Sequence, residues 1–183
     1  MAEIELVDYD SAWPELFRRE AARIVEAMGS GALRVEHVGS TSVPGLAAKP
    51  VIDVLLVVVN SADEDAYAPA LEAAGYMLRI REPEWYEHRS FNGPDMTVNL
   101  HVSSEGCEEI ERMLRFRDWL RGNEADRELY ARTKRKLARG EWKTVPDYAD
   151  AKTWRDCGDY GSLRRLNPSD LSPEDYSFSA AFN

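Results

Sequence analysis

Cysteine and histidine are scarce in this chain of 183 residues, and basic side chains are fewer than acidic ones. Only Cys107 and Cys157 occur, far apart and without a Cys-x-x-Cys spacing. That excludes a disulfide framework and a structural zinc site, and fits a reducing cytoplasm. Lysine and arginine total 23 against 33 acidic residues, a net charge of −10. Broad binding to nucleic acid or to anionic lipid depends on basic surface, so both are excluded, while small, locally recognised anions stay open. The longest apolar run, Val54 to Val59, is far too short to cross a bilayer. Met1 to Glu5 carries neither a basic region nor an apolar signal core, so the expected setting is the cytoplasm, with no membrane partner. Repeats and low-complexity segments are absent as well. What remains is a length suited to one domain that buries roughly 70% of the surface its unfolded chain exposes.

The expected domain covers residues 1–166, with residues 167–183 as a surface or disordered tail rich in Pro, Ser and acidic residues. Asp10 or Ser11 can cap a first helix with Pro14 in its first turn; Leu16, Phe17, Ile24, Val25 and Met28 form its apolar stripe and Gly29 ends it. Leu33 to Val38 and Val51 to Val59 are strands by β-branching, the second apolar on both faces like a central strand. Ala62 to Gly75 reads as a helix broken or started by Pro69, and Tyr76 to Arg81 as a half-exposed strand with Arg79 and Arg81 on its polar face. Trp85 to Phe91 and Thr97 to Val102 pair around Asn92-Gly93 as a hairpin. Helices follow at Glu108 to Arg121 and Ala125 to Arg139, with a weaker segment at Tyr148 to Cys157. The fold class is therefore α/β (α+β): a mixed sheet flanked by helices, with a helical C-terminal half.

Between the first two strands lies Gly39-Ser40-Thr41-Ser42, followed by Pro44-Gly45 and Lys49-Pro50. Glycine lets a backbone approach a ligand closely, and three hydroxyl residues offer donors suited to phosphate oxygens. Asp53 follows inside the apolar strand, where an unpaired carboxylate is costly. A phosphate with its divalent ion, Mg²⁺ held by one carboxylate and substrate oxygens, explains loop and aspartate together; a structural salt bridge is the alternative.

Other chemistry-bearing side chains are open to two readings each. His101 shares a polar strand face with Asn99 and Thr97, as metal ligand, general base or half-buried sheet histidine. His37 shares a strand face with Gly39, and with Asp53 and His101 it would make a two-histidine, one-carboxylate site that favours a transition metal. His88 lies between Glu87 and Arg89, as an exposed or ion-paired residue. Arg117 falls at the centre of the apolar arc of Ile110, Met113, Leu114, Phe116 and Leu120, so it needs an acceptor: a substrate anion, or Glu20 of the first helix. Lys134 and Lys136 sit at the edges of the last helix's apolar face, either solvated or in contact with phosphate. The tryptophans are most simply packing residues.

The segment His37-Val38-Gly39-Ser40-Thr41-Ser42-Val43-Pro44-Gly45-Leu46-Ala47-Ala48-Lys49-Pro50-Val51-Ile52-Asp53 closely resembles the signature of the GrpB-like family. The likeness continues through Asn99 to Val102, Phe116 to Arg121 and Tyr130 to Leu137, and covers roughly Glu3 to Arg155. The resemblance implies a nucleotidyltransferase-like fold that holds a nucleotide with its Gly-Ser loop, here Gly39 and Ser40, and a metal with strand carboxylates, the first matching Asp53. Leu55 stands where the second carboxylate would project, and the third has His101 in its place. Holding two ions roughly 4 Å apart calls for paired carboxylates, so these departures favour binding over transfer. The resemblance also implies an accessory role, since similar domains are fused behind dephospho-coenzyme A kinase.

The leading expectation is thus a nucleotide- or phosphometabolite-binding protein, with nucleotidyltransferase activity as its enzymatic form. Gly39, Ser40, Thr41, Ser42, Lys49, Arg117 and Lys134 would hold the phosphates, and Asp53 and His101, with His37, a divalent metal: Mg²⁺, Mn²⁺ or a transition metal. A non-catalytic module docked on an enzyme such as the kinase, and a metal-dependent hydrolase using the His/Asp site, are the alternatives.

Overall fold

The computed structural model describes residues 5–95 and 97–138. The expected segment Tyr148 to Cys157 and the tail lie outside them. Helix α1 spans Trp13–Met28; Asp10 accepts the Ala12 N–H at 2.8 Å just ahead of it, Pro14 fits its first turn, and Gly29 closes it with φ +53°. Its stripe is narrower than the sequence suggests. Ile24 is fully buried, but Leu16 and Val25 are 39% and 49% exposed, because α1 meets the sheet along Trp13, Phe17, Glu20 and Ile24.

Strand β1 (Arg34–Val38) runs antiparallel to β2 (Ile52–Val58). The expected helical stretch is divided at Pro69 into a single helical turn at Glu64–Ala66 and helix α2 (Ala68–Ala73), which has the proline in its first turn. Strands β3 (Met77–Glu82), β4 (His88–Asn92) and β5 (Val98–Ser104) complete a five-stranded sheet of order β1-β2-β5-β4-β3, in which only β2 and β5 are parallel. The expected strand from Trp85 starts later: Tyr86 and Glu87 take positive φ and turn the chain, so pairing begins at His88. Asn92-Gly93 turns into β5 as expected, with the Gly93 N–H on Val98 O at 2.8 Å.

The two faces of this mixed sheet are chemically unlike. One is apolar: Ile52, Val54, Leu56, Val58, Phe91, Val98, Leu100 and Val102 pack under α1 and α2. On the other, Val38, Leu55 and Val57 pack under α3 (Glu108–Gly122) through Ile110, Met113 and Leu114. The same face carries Asp53, Asn99, His101 and Ser103, all buried. Helix α4 (Glu124–Ala138) packs on α3 and on the loop after β1 through Leu120, Ala131, Val43 and Leu46. Among the described residues, no helix is long and apolar enough to cross a membrane.

Replacing Ile24 by Ala should cost about 2–5 kcal/mol, whereas Leu16→Ala should stay within about 0.5 kcal/mol. Equal shifts of the urea midpoint for the two variants would contradict this placement of α1.

Candidate functional site

The chain leaves β1 at Gly39, whose φ of +69° is the left-handed region that glycine enters at least cost. A side chain there would also collide with Asp53: an added Cβ would stand 2.3 Å from Asp53 Oδ2. The residue type therefore follows from the neighbouring strand as much as from the turn. Ser40–Ser42 make one tight helical turn, and Val7 pairs with Ala48 to tie the N-terminal segment across the returning loop.

The three hydroxyls of this turn have different fates. Ser42 Oγ donates to Gly39 O at 2.5 Å, and Thr41 Oγ1 donates to Val51 O at 3.3 Å, so both serve the loop itself. Only Ser40 meets a cation through its hydroxyl: Lys134 Nζ donates to Ser40 Oγ at 2.9 Å and to Ala47 O at 2.5 Å. Lys134 is 3% exposed and lies over the Tyr130 ring, 4.9 Å from its centroid. The solvated reading of Lys134 is thereby corrected, because α4 turns this position into the loop; Lys136 is exposed.

Gly39, Ser40, Thr41, Lys49, Asp53, Asn99, Arg117, Tyr130 and Lys134 are among the residues lining one cavity of about 60 Å³. Among the described lining residues Lys49, Arg117 and Lys134 are cationic and Asp53 is anionic, in a chain of net charge −10. The volume is far below the roughly 300–1,000 Å³ of pockets that enclose whole small molecules, and suits a phosphoryl-sized group. Burial pulls the Lys49 amine below its usual pKa, while Asp53 opposes the shift and Arg79 adds to it.

Arg117 is anchored otherwise than expected. Nη1 donates to Glu36 Oε2 at 2.8 Å and to His37 O at 3.0 Å, and Nε donates to Asp118 Oδ1 at 2.8 Å. Burial opposes ionisation of Glu36, yet Arg117 and Arg34 hold its carboxyl below the ordinary range. Glu20 is not the partner; it accepts from Tyr76 OH at 2.6 Å and pairs with Arg23 at 3.0 Å. Arg121, unnoticed in the sequence, donates to Ser42 O at 3.0 and 2.8 Å and pins the turn from α3.

The three-residue metal site does not form. Register pairs His37 with Val54 and Val38 with Asp53, so His37 projects from the opposite sheet face to Asp53. It stacks on Phe17, ring centroids 4.7 Å apart, and bonds Thr41 Oγ1 at 3.1 Å. Among the described residues no group of three His, Cys, Asp or Glu side chains is arranged to hold a metal. Asp53 and His101 do share a face, with His101 Nε2 3.7 Å from Asp53 Oδ1. Asn99, across the strand pair, donates to the same oxygen at 3.0 Å. Leu55 is fully buried in the apolar cluster under α3, which leaves no room for a second carboxylate at that position.

His88 proves to be buried, 3% exposed, and paired with Glu82 by a hydrogen bond, with Nδ1 2.7 Å from Glu82 Oε2 and Nε2 3.1 Å from His101 Nδ1. Burial lowers its pKa and Glu82 opposes that shift. The exposed reading fails because the turn at Tyr86 and Glu87 brings Trp85 back over the ring, centroids 5.2 Å apart. Asn99 was visible as His101's neighbour on the alternating strand; Glu82, Glu36 and Tyr130 gave no signal, since only pairing and helix packing bring them in.

Burial pushes the pKa of His37 from 6.5 down to about 4; Asp53 opposes the shift, and Arg121 and Arg117 reinforce it. An unfolded chain takes up that proton first, so stability is full above pH 6.5 and falls as the pH drops toward 4, by on the order of 3 kcal/mol. His37→Gln should remove this share of the acid sensitivity in urea titrations at pH 7 and 4.5; an unchanged pH difference would refute it. Gly39→Ala should lower the melting temperature and expel Asp53 from its seat, and a variant as stable as the parent would contradict the contact.

Comparison with known proteins bears on this geometry. The family model described as GrpB protein matches residues 3–155. A UPF0157 protein of Halalkalibacterium halodurans is 65% identical over 152 residues, 83% of this chain and 78% of that protein. The crystal structure of conserved protein GrpB from Enterococcus faecalis superposes with a TM-score of 0.70 at 35% identity, covering 79% of this chain and 88% of that one. A dephospho-CoA kinase of Mycolicibacterium paratuberculosis is 28% identical over 198 residues, 84% of this chain but 49% of the kinase.

Proposed function

The chain belongs to the GrpB family, and on that premise we propose that it binds a phosphorylated small molecule, a nucleotide or phosphometabolite, by its phosphoryl end. The observation that carries this reading is the buried Lys134 ammonium donating to Ser40 of the turn, in the wall of a cavity that Lys49 and Arg117 also line. Burying an ammonium costs several kcal/mol, and a phosphoryl group in that cavity adds countercharge where hydrogen-bond donors already converge. The small volume supports recognition of the phosphoryl group inside the cavity and of the remainder of the ligand outside it.

Asp53 suits a cation that arrives with its phosphate, Mg²⁺ or Mn²⁺, which commonly takes one or two carboxylates plus substrate oxygens. Such an ion would supply charge neutralisation at the phosphoryl oxygens. Two-ion nucleotidyl transfer finds less support, because Leu55 occupies the core where its second carboxylate would stand. Within this reading Lys134 and Lys49 bind, Gly39 leaves room for the Asp53 carboxylate beside the turn, and Asn99 orients Asp53.

A second reading, an accessory module for an enzyme such as dephospho-CoA kinase, is favoured by the similar segment within the mycobacterial kinase. It expects a kinase to co-purify with both the parent and Asp53→Asn; loss of the partner with the carboxylate would count against it.

Thermal melts with nucleotides and phosphorylated metabolites, with and without Mg²⁺ or Mn²⁺, test the leading reading. A ligand at about 100 times its dissociation constant should add about 2.7 kcal/mol, or about 5 to 10 °C. Lys134→Met and Lys49→Gln should each abolish or sharply reduce the shift. A flat melt of the parent across the panel would sink the proposal.

A further inference from the structure

Ser40 differs from the other two hydroxyl residues of its turn. Ser42 and Thr41 donate to carbonyls of the loop, whereas Ser40 Oγ accepts from Lys134 Nζ at 2.9 Å and its own proton has no acceptor among the described residues. Ser40 is half-buried in the wall of the cavity, on the turn that leaves β1 straight after Gly39. Lys134 is 3% exposed, and its nitrogen also donates to Ala47 O at 2.5 Å and lies over the Tyr130 ring. An uncommitted hydroxyl beside a buried lysine is more than phosphate binding requires.

A buried ammonium sheds its desolvation cost when it gives up a proton. The contact between the two side chains then reverses: Lys134 keeps an N–H on Ala47 O, and its lone pair accepts the Ser40 hydroxyl. A serine whose proton is drawn to a neutral lysine is a nucleophile, the lysine variant of the serine–histidine arrangement. We propose that Ser40 is such a nucleophile with Lys134 as its general base, and that it takes the phosphoryl group of a phosphate monoester bound in the cavity. The bond from Ser40 Oγ to phosphorus forms as the ester P–O bond breaks. The Ser40 proton passes to Lys134, which hands it on to the departing alcohol oxygen. Water attacking the phosphoserine by the same route, with its proton taken by Lys134 and returned to Ser40 Oγ, releases inorganic phosphate and restores the hydroxyl. Lys49 lines the same wall and keeps a cation near the phosphoryl oxygens while Lys134 is neutral. The choice of substrate rests on the cavity being the phosphate site; the activation of Ser40 does not.

Methanesulfonyl fluoride tests the nucleophile without any need for phosphate recognition. Mass spectrometry of the parent should place the sulfonyl group on Ser40, at a rate that rises with pH as one group deprotonates. Ser40→Ala should lose the adduct, and Lys134→Met should slow labelling by about 10²–10⁴-fold and remove that pH dependence. With p-nitrophenyl phosphate, the parent should release p-nitrophenol and Ser40→Ala should not. No sulfonyl adduct at Ser40 or no p-nitrophenol release in the parent, release unchanged in Ser40→Ala, or a folded Lys134→Met protein labelled as fast as the parent would overturn the inference. The melts with nucleotides and phosphorylated metabolites separate the two proposals. Ligand shifts in a protein whose Ser40 takes no sulfonyl group sink this one; a sulfonylated Ser40 beside flat melts sinks the phosphate reading and, with it, the monoester substrate.

Discussion

Asp53 and the backbone of Gly39 share one small space, and much of the site depends on that contact. The carboxylate oxygen lies where any side chain at position 39 would have to go. The antiparallel register that pairs Val38 with Asp53 brings the loop's first residue over the carboxylate. Gly39 then redirects the chain into the turn that Ser42, Thr41 and Arg121 brace, and that turn delivers Ser40 to Lys134. A change of one residue in register would turn Asp53 to the apolar face under α1 and dismantle the cavity.

Electrostatics inside the cavity run against those of the chain as a whole. Acidic residues outnumber basic ones in the sequence, yet Lys49, Arg117 and Lys134 line one cavity in which, among the described residues, Asp53 is the one carboxylate. Arg117 is fixed by Glu36, Asp118 and a strand carbonyl, so its guanidinium is held in place at the cavity wall while the two carboxylates offset its charge. On the far side of Asp53 the sheet face stays polar through Asn99, His101 and His88. The carboxylate therefore stands between a wall lined by cationic side chains and a row of imidazoles.

Much of the fold was legible because hydrophobic periodicity reports it directly. The doubly apolar run at Val54 to Val58 announced a central strand, and Pro14 with Gly29 marked both ends of α1. Misreadings arose where local preference yielded to tertiary contact. Leu16 and Val25 fit a helical stripe but face solvent, since α1 meets the core along Trp13, Phe17, Glu20 and Ile24 and leaves these two positions outside that line. The strand expected from Trp85 gives way to a turn with positive φ at two ordinary residues, which no propensity would suggest. His37 looked like a partner of Asp53 because both adjoin the same loop; in the pleat, neighbours across strands but one step out of register face opposite sides.

Read without its fold, the chain already implied a mixed α/β sheet with helices after it and one site that holds both Gly39 and Asp53. Those conclusions follow from residue type and spacing, which are local. Long-range packing settled the rest: Lys134 is a buried cation on Ser40, Glu36 rather than Glu20 holds Arg117, His37 is turned away, and Glu82 and His88 stand behind His101. Each of these joins elements far apart in the chain, and their meeting depends on strand register and helix placement, which the free energy of the whole core selects.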